Sequence, residues 1–334
     1  MDPLSDLLSL LKPHAYVSSG FDAGGDWAVQ FGDQSTLIKC YAVVSGGCWL
    51  AVEGVGEPVR LQAGECFVLP RGRPFRMASD LGLPATPASE IFRPAHHGGV
   101  VTFNGGGGFA LVGSRFAVRG NHADLLLGLL PPIVHIGGQS GQAALRWSVE
   151  QMMKELRERQ AGNALVLQHL AHMMLVQALR VHLEAGTGDG WLFALADKQL
   201  GAAIRAIHAD PAHGWTLQEL GVCAGMSRST FALRFRESVG EPAMQYVVRW
   251  RMLLACDRLQ NTGDSIGVIA LALGYESESA FSTAFKRLMG CSPRQYGREA
   301  RAMPPTDGAA PRRDEAAAGE PLSHAVYRRA AGAR

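Results

Sequence analysis

The chain has 334 residues, 47% hydrophobic and 19% charged, with 32 Lys+Arg against 30 Asp+Glu and a net charge of +2. That balance describes a soluble globular protein of two or three domains, and it permits an anionic partner without demanding one. No apolar run reaches the roughly 18 residues needed to span a bilayer.

The N-terminal stretch "MDPLSDLLSLLKPH" carries Asp2 and Asp6 where an export signal would carry positive charge, so none is expected. Six cysteines, Cys40, Cys48, Cys66, Cys223, Cys256 and Cys291, are scattered without a C-x-x-C pair. They suit free thiols in a reducing cytoplasm.

From about 15 to 135 the chain is rich in Gly, Val and Phe, with short apolar or alternating runs. Strands are expected at 41–44, 48–52, 59–61 and 66–69, followed by two more flanking a glycine-rich turn at 104–108. Strands at this spacing indicate a β-sandwich or barrel. From about 140 the periodicity becomes helical, and "GNALVLQHLAHMMLVQALRVHLEAG" is apolar around much of its circumference. That breadth fits a helix packed on its own domain and on a second subunit. "GTGDG" at 186–190 reads as a flexible break, 195–300 as about seven short helices, and 301–334 as a disordered tail.

Two stretches of the helical region share one skeleton. "GMSRSTFALRFRESVG" and "GYESESAFSTAFKRLMG" align Ser227 with Ser277, Ser229 with Ser279, Phe231 with Phe281, Phe235 with Phe285, Arg236 with Lys286 and Gly240 with Gly290. Upstream, Thr216, Leu217, Leu220 and Gly225 match Ser265, Ile266, Ile269 and Gly274. Each unit reads as a helix-turn-helix: a capping Thr or Ser, an apolar first helix, a glycine turn, a capping serine, and a second helix anchored by phenylalanines four apart. The opposite face carries Arg228, Ser229, Ala232 and Arg236 in the first unit, and Glu278, Ser279, Ser282, Thr283 and Lys286 in the second. Short polar side chains with cations behind them suit a helix laid in the DNA major groove. Net charge does not decide the matter, since 195–300 holds twelve Lys+Arg against ten Asp+Glu. The duplicated pattern does.

At this point the sequence resembles the AraC/XylS family of bacterial transcription regulators. "DSIGVIALALGYESESAFSTAFKRLMGCSPRQYGR" is similar to the family signature almost throughout, and the match runs from Lys198 to Arg298. The resemblance implies a long helix at 242–262 joining the two units, so that both recognition helices enter successive grooves. It places DNA contacts at Arg228, Ser229, Ala232 and Leu233, and at Glu278, Ser279, Ser282 and Thr283, with Arg236 and Lys286 further along. Arg249 and Arg251 on the joining helix are candidates for phosphate or interdomain contacts.

"LQAGECFVLPRGRPFRM" is similar to a cupin stretch, and "LLPPIVHI" to the segment where such a barrel ends. Trp49, Cys66, Phe67, Arg76 and Phe92 are the candidates for lining an effector pocket. Phe75 stands about where metal-binding cupins place a histidine, and no H-x-H pair occurs in 43–55, so no metal or other cofactor is expected. His169 and His172 on the long helix, and His96 and His97 in a Pro/Gly-rich loop, read as packed or solvated.

The expected fold is therefore a two-domain α+β chain: a cupin-like barrel at 1–137, a helical linker and dimerisation segment at 138–190, and an all-α double helix-turn-helix domain at 195–300. The expected function is a cytoplasmic, homodimeric, sequence-specific regulator rather than an enzyme. It would be an activator by family habit, partnered by promoter DNA, RNA polymerase and a small-molecule or redox effector. The alternatives are a cupin metal enzyme with an appended helical domain and a constitutive DNA binder with a purely structural barrel.

Overall fold

The structure, a computed structural model, describes residues 2–35, 37–92, 99–118, 127–128, 130–137, 143–185 and 190–302. His96, His97, most of the break at 186–190 and the tail beyond Ala302 lie outside the described residues. The first helix, α1 (Pro3–Leu11), begins where Asp2 accepts hydrogen bonds from the amides of Leu4 and Ser5. It buries Leu4, Leu7 and Leu11 on one side.

Two facing sheets follow. One has six strands in the order β11-β6-β3-β10-β1-β9, namely β11 (Val134–Ile136), β6 (Cys66–Leu69), β3 (Leu37–Ser45), β10 (Phe109–Ala117), β1 (His14–Ala23) and β9 (Val100–Phe103). The other has five in the order β5-β4-β7-β2-β8: β5 (Val59–Gln62), β4 (Gly47–Val52), β7 (Phe75–Ala78), β2 (Ala28–Phe31) and β8 (Thr86–Pro87). The six strands and the 104–108 turn expected from sequence fall into this arrangement as β3, β4, β5, β6, β9 and β10, and the barrel takes the form of a sandwich. β1, β2, β7, β8 and β11 carried no expectation as strands.

The period-2 alternation of β3 sorts its side chains between two layers. Tyr41 and Val43 join the core between the sheets, with Phe21, Trp27, Phe67, Phe75 and Phe109. Ile38, Cys40 and Ala42 face the other way and pack with the helical layer. That layer is α3 (Ala143–Glu158) and α4 (Asn163–Ala185), which lays Leu167, Leu170, Met174 and Leu175 into the same cluster. By length and a mean hydropathy of 1.3, α4 reaches the size of a membrane span, where the sequence reading saw no long enough run. Its buried side is occupied by the sheet. A short α2 (Ala88–Ile91) closes the edge of the sandwich.

Beyond Gly190 the described chain is helical: α5 (Trp191–Ala196), α6 (Lys198–Ala209), α7 (Leu217–Cys223), α8 (Arg228–Val239), α9 (Ala243–Asn261), α10 (Ile266–Ala272), α11 (Glu278–Met289) and α12 (Pro293–Ala302). The joining helix α9 is shared between two cores. Tyr246, Val247, Trp250 and Leu253 pack with Phe231 and Phe235, while Met252, Cys256 and Leu259 pack with Phe281 and Phe285.

Candidate DNA-binding surface

Each helix-turn-helix unit is built from local chemistry. Thr216 caps α7 in a reciprocal box, its hydroxyl accepting from the Glu219 amide while the Glu219 carboxylate accepts from the Thr216 amide at 2.8 Å. That bonding to Thr216 holds the Glu219 carboxyl below the usual range. Ser265 caps α10 through the Val268 amide. Ser227 and Ser277 cap the second helices through the amides of Thr230 and Ala280. All four sequence-assigned caps are in place.

The two recognition helices, α8 and α11, have the same order of buried, half-buried and exposed positions from end to end. Phe231, Phe235, Phe281 and Phe285 are completely buried. Arg228, Ser229, Leu233, Arg236, Glu278, Ser279, Thr283 and Lys286 are exposed, and Ala232 and Ser282 are half-buried. Leu233 is 60% exposed, an apolar side chain held out in mid-helix. The Thr283 hydroxyl donates to the Ser279 carbonyl at 3.0 Å, which restrains its direction. Arg287, which carried no expectation, adds an exposed cation to the last turn of α11.

The arginines between the units are engaged inside the protein. Arg251 donates to the carbonyls of Pro211 at 2.6 Å and His213 at 2.7 Å, and its guanidinium lies 5.6 Å from the Tyr275 ring centre. It thereby ties the segment before α7 to the turn of the second unit. Arg249 pairs with Glu241 and stacks on Tyr246. Neither is free for phosphate, because their partners lie within the bundle. Gly274 completes the tie: its φ is +77°, and a Cβ there would stand 2.1 Å from the Ala212 carbonyl oxygen. Only glycine combines that conformation with that approach. Arg234 is likewise committed, to Asp197 at 3.1 Å and Gln199 at 3.0 Å.

A buried polar chain ties α1 to this helical bundle. Trp191 Nε1 donates to the Tyr246 hydroxyl at 2.8 Å, which stands 2.7 Å from His208 Nε2, and His208 Nδ1 stands 3.2 Å from the Asp6 carboxylate. Burial lowers the His208 pKa, Asp6 opposing. A neutral ring accepting from Tyr246 and donating to Asp6 satisfies every member. Its ring lies 3.8 Å from that of Trp250. Lys12 adds an ion pair with Asp257 at 2.7 Å. Sequence reading missed this link, and no local signal could have found it, since Asp6 and His208 are 202 positions apart.

The five effector-pocket candidates do not come together. Phe67 belongs to the interior core, and Phe92 packs against it. Cys66 points into the helical layer instead, with its sulfur 4.0 Å from that of Cys40. Trp49 and Arg76 alternate with the interior residues Leu50 and Met77, which places them on the outer face of the five-stranded sheet. There Arg60 covers the Trp49 ring, and Arg76 donates to the Leu83 carbonyl. The buried thiols are held protonated: the Cys66 sulfur and burial raise the Cys40 pKa, and burial pushes Cys48 up to about 12. Among the described residues, no three His, Cys, Asp or Glu side chains converge as a metal site. His172 spends its ring nitrogens near the carbonyls of Gln168 at 2.7 Å and Pro13 at 2.6 Å.

Comparison with known proteins agrees with this architecture. The Cupin family profile matches residues 2–184, and the Helix-turn-helix domain profile matches residues 220–299. An AraC-like transcription regulator of Streptomyces antibioticus is 40% identical over 89% of this chain and 98% of its own length. The RCS-specific HTH-type transcriptional activator RclR of Escherichia coli K12 is 26% identical over 91% of this chain and 100% of its own. The solved DNA-binding domain of AdpA, in complex with a target DNA, is 28% identical, covering 33% of this chain and 100% of that one with a TM-score of 0.32. None of these similarities supports the enzyme or the purely structural barrel. With a cupin sensor domain ahead of a doubled helix-turn-helix, the chain belongs to the AraC-type transcription regulators.

Proposed function

We propose that the protein binds a promoter through α8 and α11 together, as an activator whose N-terminal domain responds to an effector. The observation that carries this is the pair of recognition helices with identical exposure patterns, mounted on one joining helix and locked at Gly274 and Arg251. Arg228, Ser229, Ala232 and Leu233 on α8, and Glu278, Ser279, Ser282 and Thr283 on α11, are the base-facing positions. Arg236 and Lys286 face phosphates. Leu233 and Ala232 offer thymine methyl groups an apolar contact. The activator assignment is supported by the similarity to RclR, an RCS-specific transcriptional activator, and it brings RNA polymerase as a partner.

Two routes support regulation. The buried chain from Asp6 to Trp191 gives the sensor half a direct hold on the DNA-binding half, so an effector that shifts one biases the other. The exposed Trp147, Leu165, Val166 and Met173 on α3 and α4 form an apolar face suited to a second copy of the chain.

The test is quantitative binding of the full-length protein to its operator, identified by genome-wide mapping of bound sites. Arg228→Ala and Ser282→Ala are each expected to weaken operator binding by about 1–3 kcal/mol and random-sequence DNA far less. Equal losses on both DNAs would assign these residues to the backbone. No loss on either would end the proposal.

A further inference from the structure

The interior of the sandwich holds a polar group that DNA binding does not use. Lys39 alternates with Ile38 and Cys40, which face the helical layer, so its side chain enters the space between the sheets. It is completely buried, and its Nζ has no hydrogen-bond partner. Ring faces surround it instead. Nζ lies 4.6 Å from the centre of Phe75 and 5.3 Å from that of Phe31, and those two rings stack 4.3 Å apart. Burial, with the charge of Arg115 added and Asp33 opposing, brings the amine down to about 7. Near neutral pH a large share of it is unprotonated, which an ordinary lysine is not.

A way in exists. A groove of about 480 Å³ opens at the sandwich edge between α2 and β9, lined by Ile91, Val101 and Phe103. These side chains belong to the same interior core. From Phe103 the rings follow one another inward: Phe21 at 6.3 Å, then Phe92 at 5.6 Å, then Phe31 at 6.0 Å, which lies against Lys39. Phe31, Phe92 and Phe103 are only half-buried. These rings are in contact with one another, so an apolar molecule reaches the amine only where they part, and the chemistry at Lys39 selects the head group. A carboxylate would lose its hydration beside an ammonium that had lost its own, a poor exchange in an apolar interior. An uncharged carbonyl compound brings no charge to desolvate, and a desolvated, unprotonated amine is a nucleophile for it.

We infer that Lys39 is a reversible covalent effector site that captures an apolar aldehyde as an imine. The Nζ lone pair attacks the carbonyl carbon, forming the C–N bond while the C=O π pair moves to oxygen. A proton passes from nitrogen to that oxygen, giving a carbinolamine. The C–O bond then breaks, the oxygen leaves as water with the second N–H proton, and C=N remains. One water is released, and no oxidant or reductant is needed. This inference rests on the N-terminal domain being a sensor.

The test treats full-length protein with octanal at pH 7, reduces with borohydride, and maps the adducts by mass spectrometry. One octyl group is expected on Lys39, forming at least about tenfold faster than on Lys12, Lys154, Lys198 or Lys286, with the preference lost in urea. An unlabelled Lys39, or equal labelling of all lysines, overturns the site. Octanoate or octanol stabilising the protein as strongly as octanal, with no adduct, also overturns it. The labelling is read on the natural chain, so it does not depend on a variant folding. Lys39→Met is expected to abolish any octanal-induced change in operator affinity. An adduct that leaves operator affinity unchanged overturns the effector role alone, whereas a free protein that binds no operator strikes the regulator reading instead.

Discussion

Lys39 occupies one position in "LIKCYAVV", a strand whose other residues read as ordinary apolar sandwich. Its ordinary pKa of 10.5 falls to about 7 in the fold. Between those values the unfolded chain holds a proton that the native state lacks, so the contribution to stability rises with pH across that window. Below it, charging the buried amine costs the native state. Lys39→Met is therefore expected to raise stability at pH 7 by about 2–4 kcal/mol and to flatten the rise above it, as measured by urea denaturation at a series of pH values. A residue kept at such a cost is more consistent with function than with packing. On the recognition helices the residue scale was legible: the caps and phenylalanine anchors follow from spacing alone. The assignment of Arg249 and Arg251 was not, because their partners at Glu241, Pro211 and His213 are set by how helices cross.

At the scale of elements, each helix-turn-helix follows from short-range rules, and the geometry between the two depends on a few contacts around α9. Gly274 and Arg251 both touch the Pro211–His213 carbonyls, one from the second unit's turn and one from the joining helix. Gly274→Ala adds a methyl group where the Ala212 oxygen already stands and strains a left-handed backbone. We expect a loss of at least about 2 kcal/mol, seen as a lower thermal midpoint, with operator affinity falling further than non-specific affinity. Gly225 sits at the matching turn without such a neighbour, since the nearest atom to its Cβ position is 3.8 Å away on the Gln199 side chain. Gly225→Ala is the milder control. The repeat in the sequence thus hides an asymmetry that only packing reveals.

At the scale of the whole molecule, the N-terminal helix belongs to both halves. Asp6→Ala would leave His208 Nδ1 buried without an acceptor, costing about 1–3 kcal/mol. The expected signature is faster hydrogen exchange in α1 and in the α6–α9 contact, together with altered operator affinity. Unchanged exchange would mean the clasp is not what joins them. The apolar face of α3 and α4 makes a separate prediction. The full-length protein is expected to sediment as a dimer, and Leu165→Glu with Met173→Glu as a monomer that binds a two-site operator at least about tenfold more weakly through lost avidity.

The doubled reading unit, its caps and the run of short strands ahead of it were determined by the sequence, because each rests on spacings of three, four or two residues that neighbouring positions enforce, while the joining helix was implied by the family resemblance. Tertiary structure alone decided which strand face meets the helices, so Cys66 turned away from the interior and Trp49 and Arg76 to the outer surface. It also decided that a lone lysine would be sealed among rings and that Asp6 would meet His208. Those outcomes come from side chains far apart in the chain competing for one dry volume, a competition that no local pattern records.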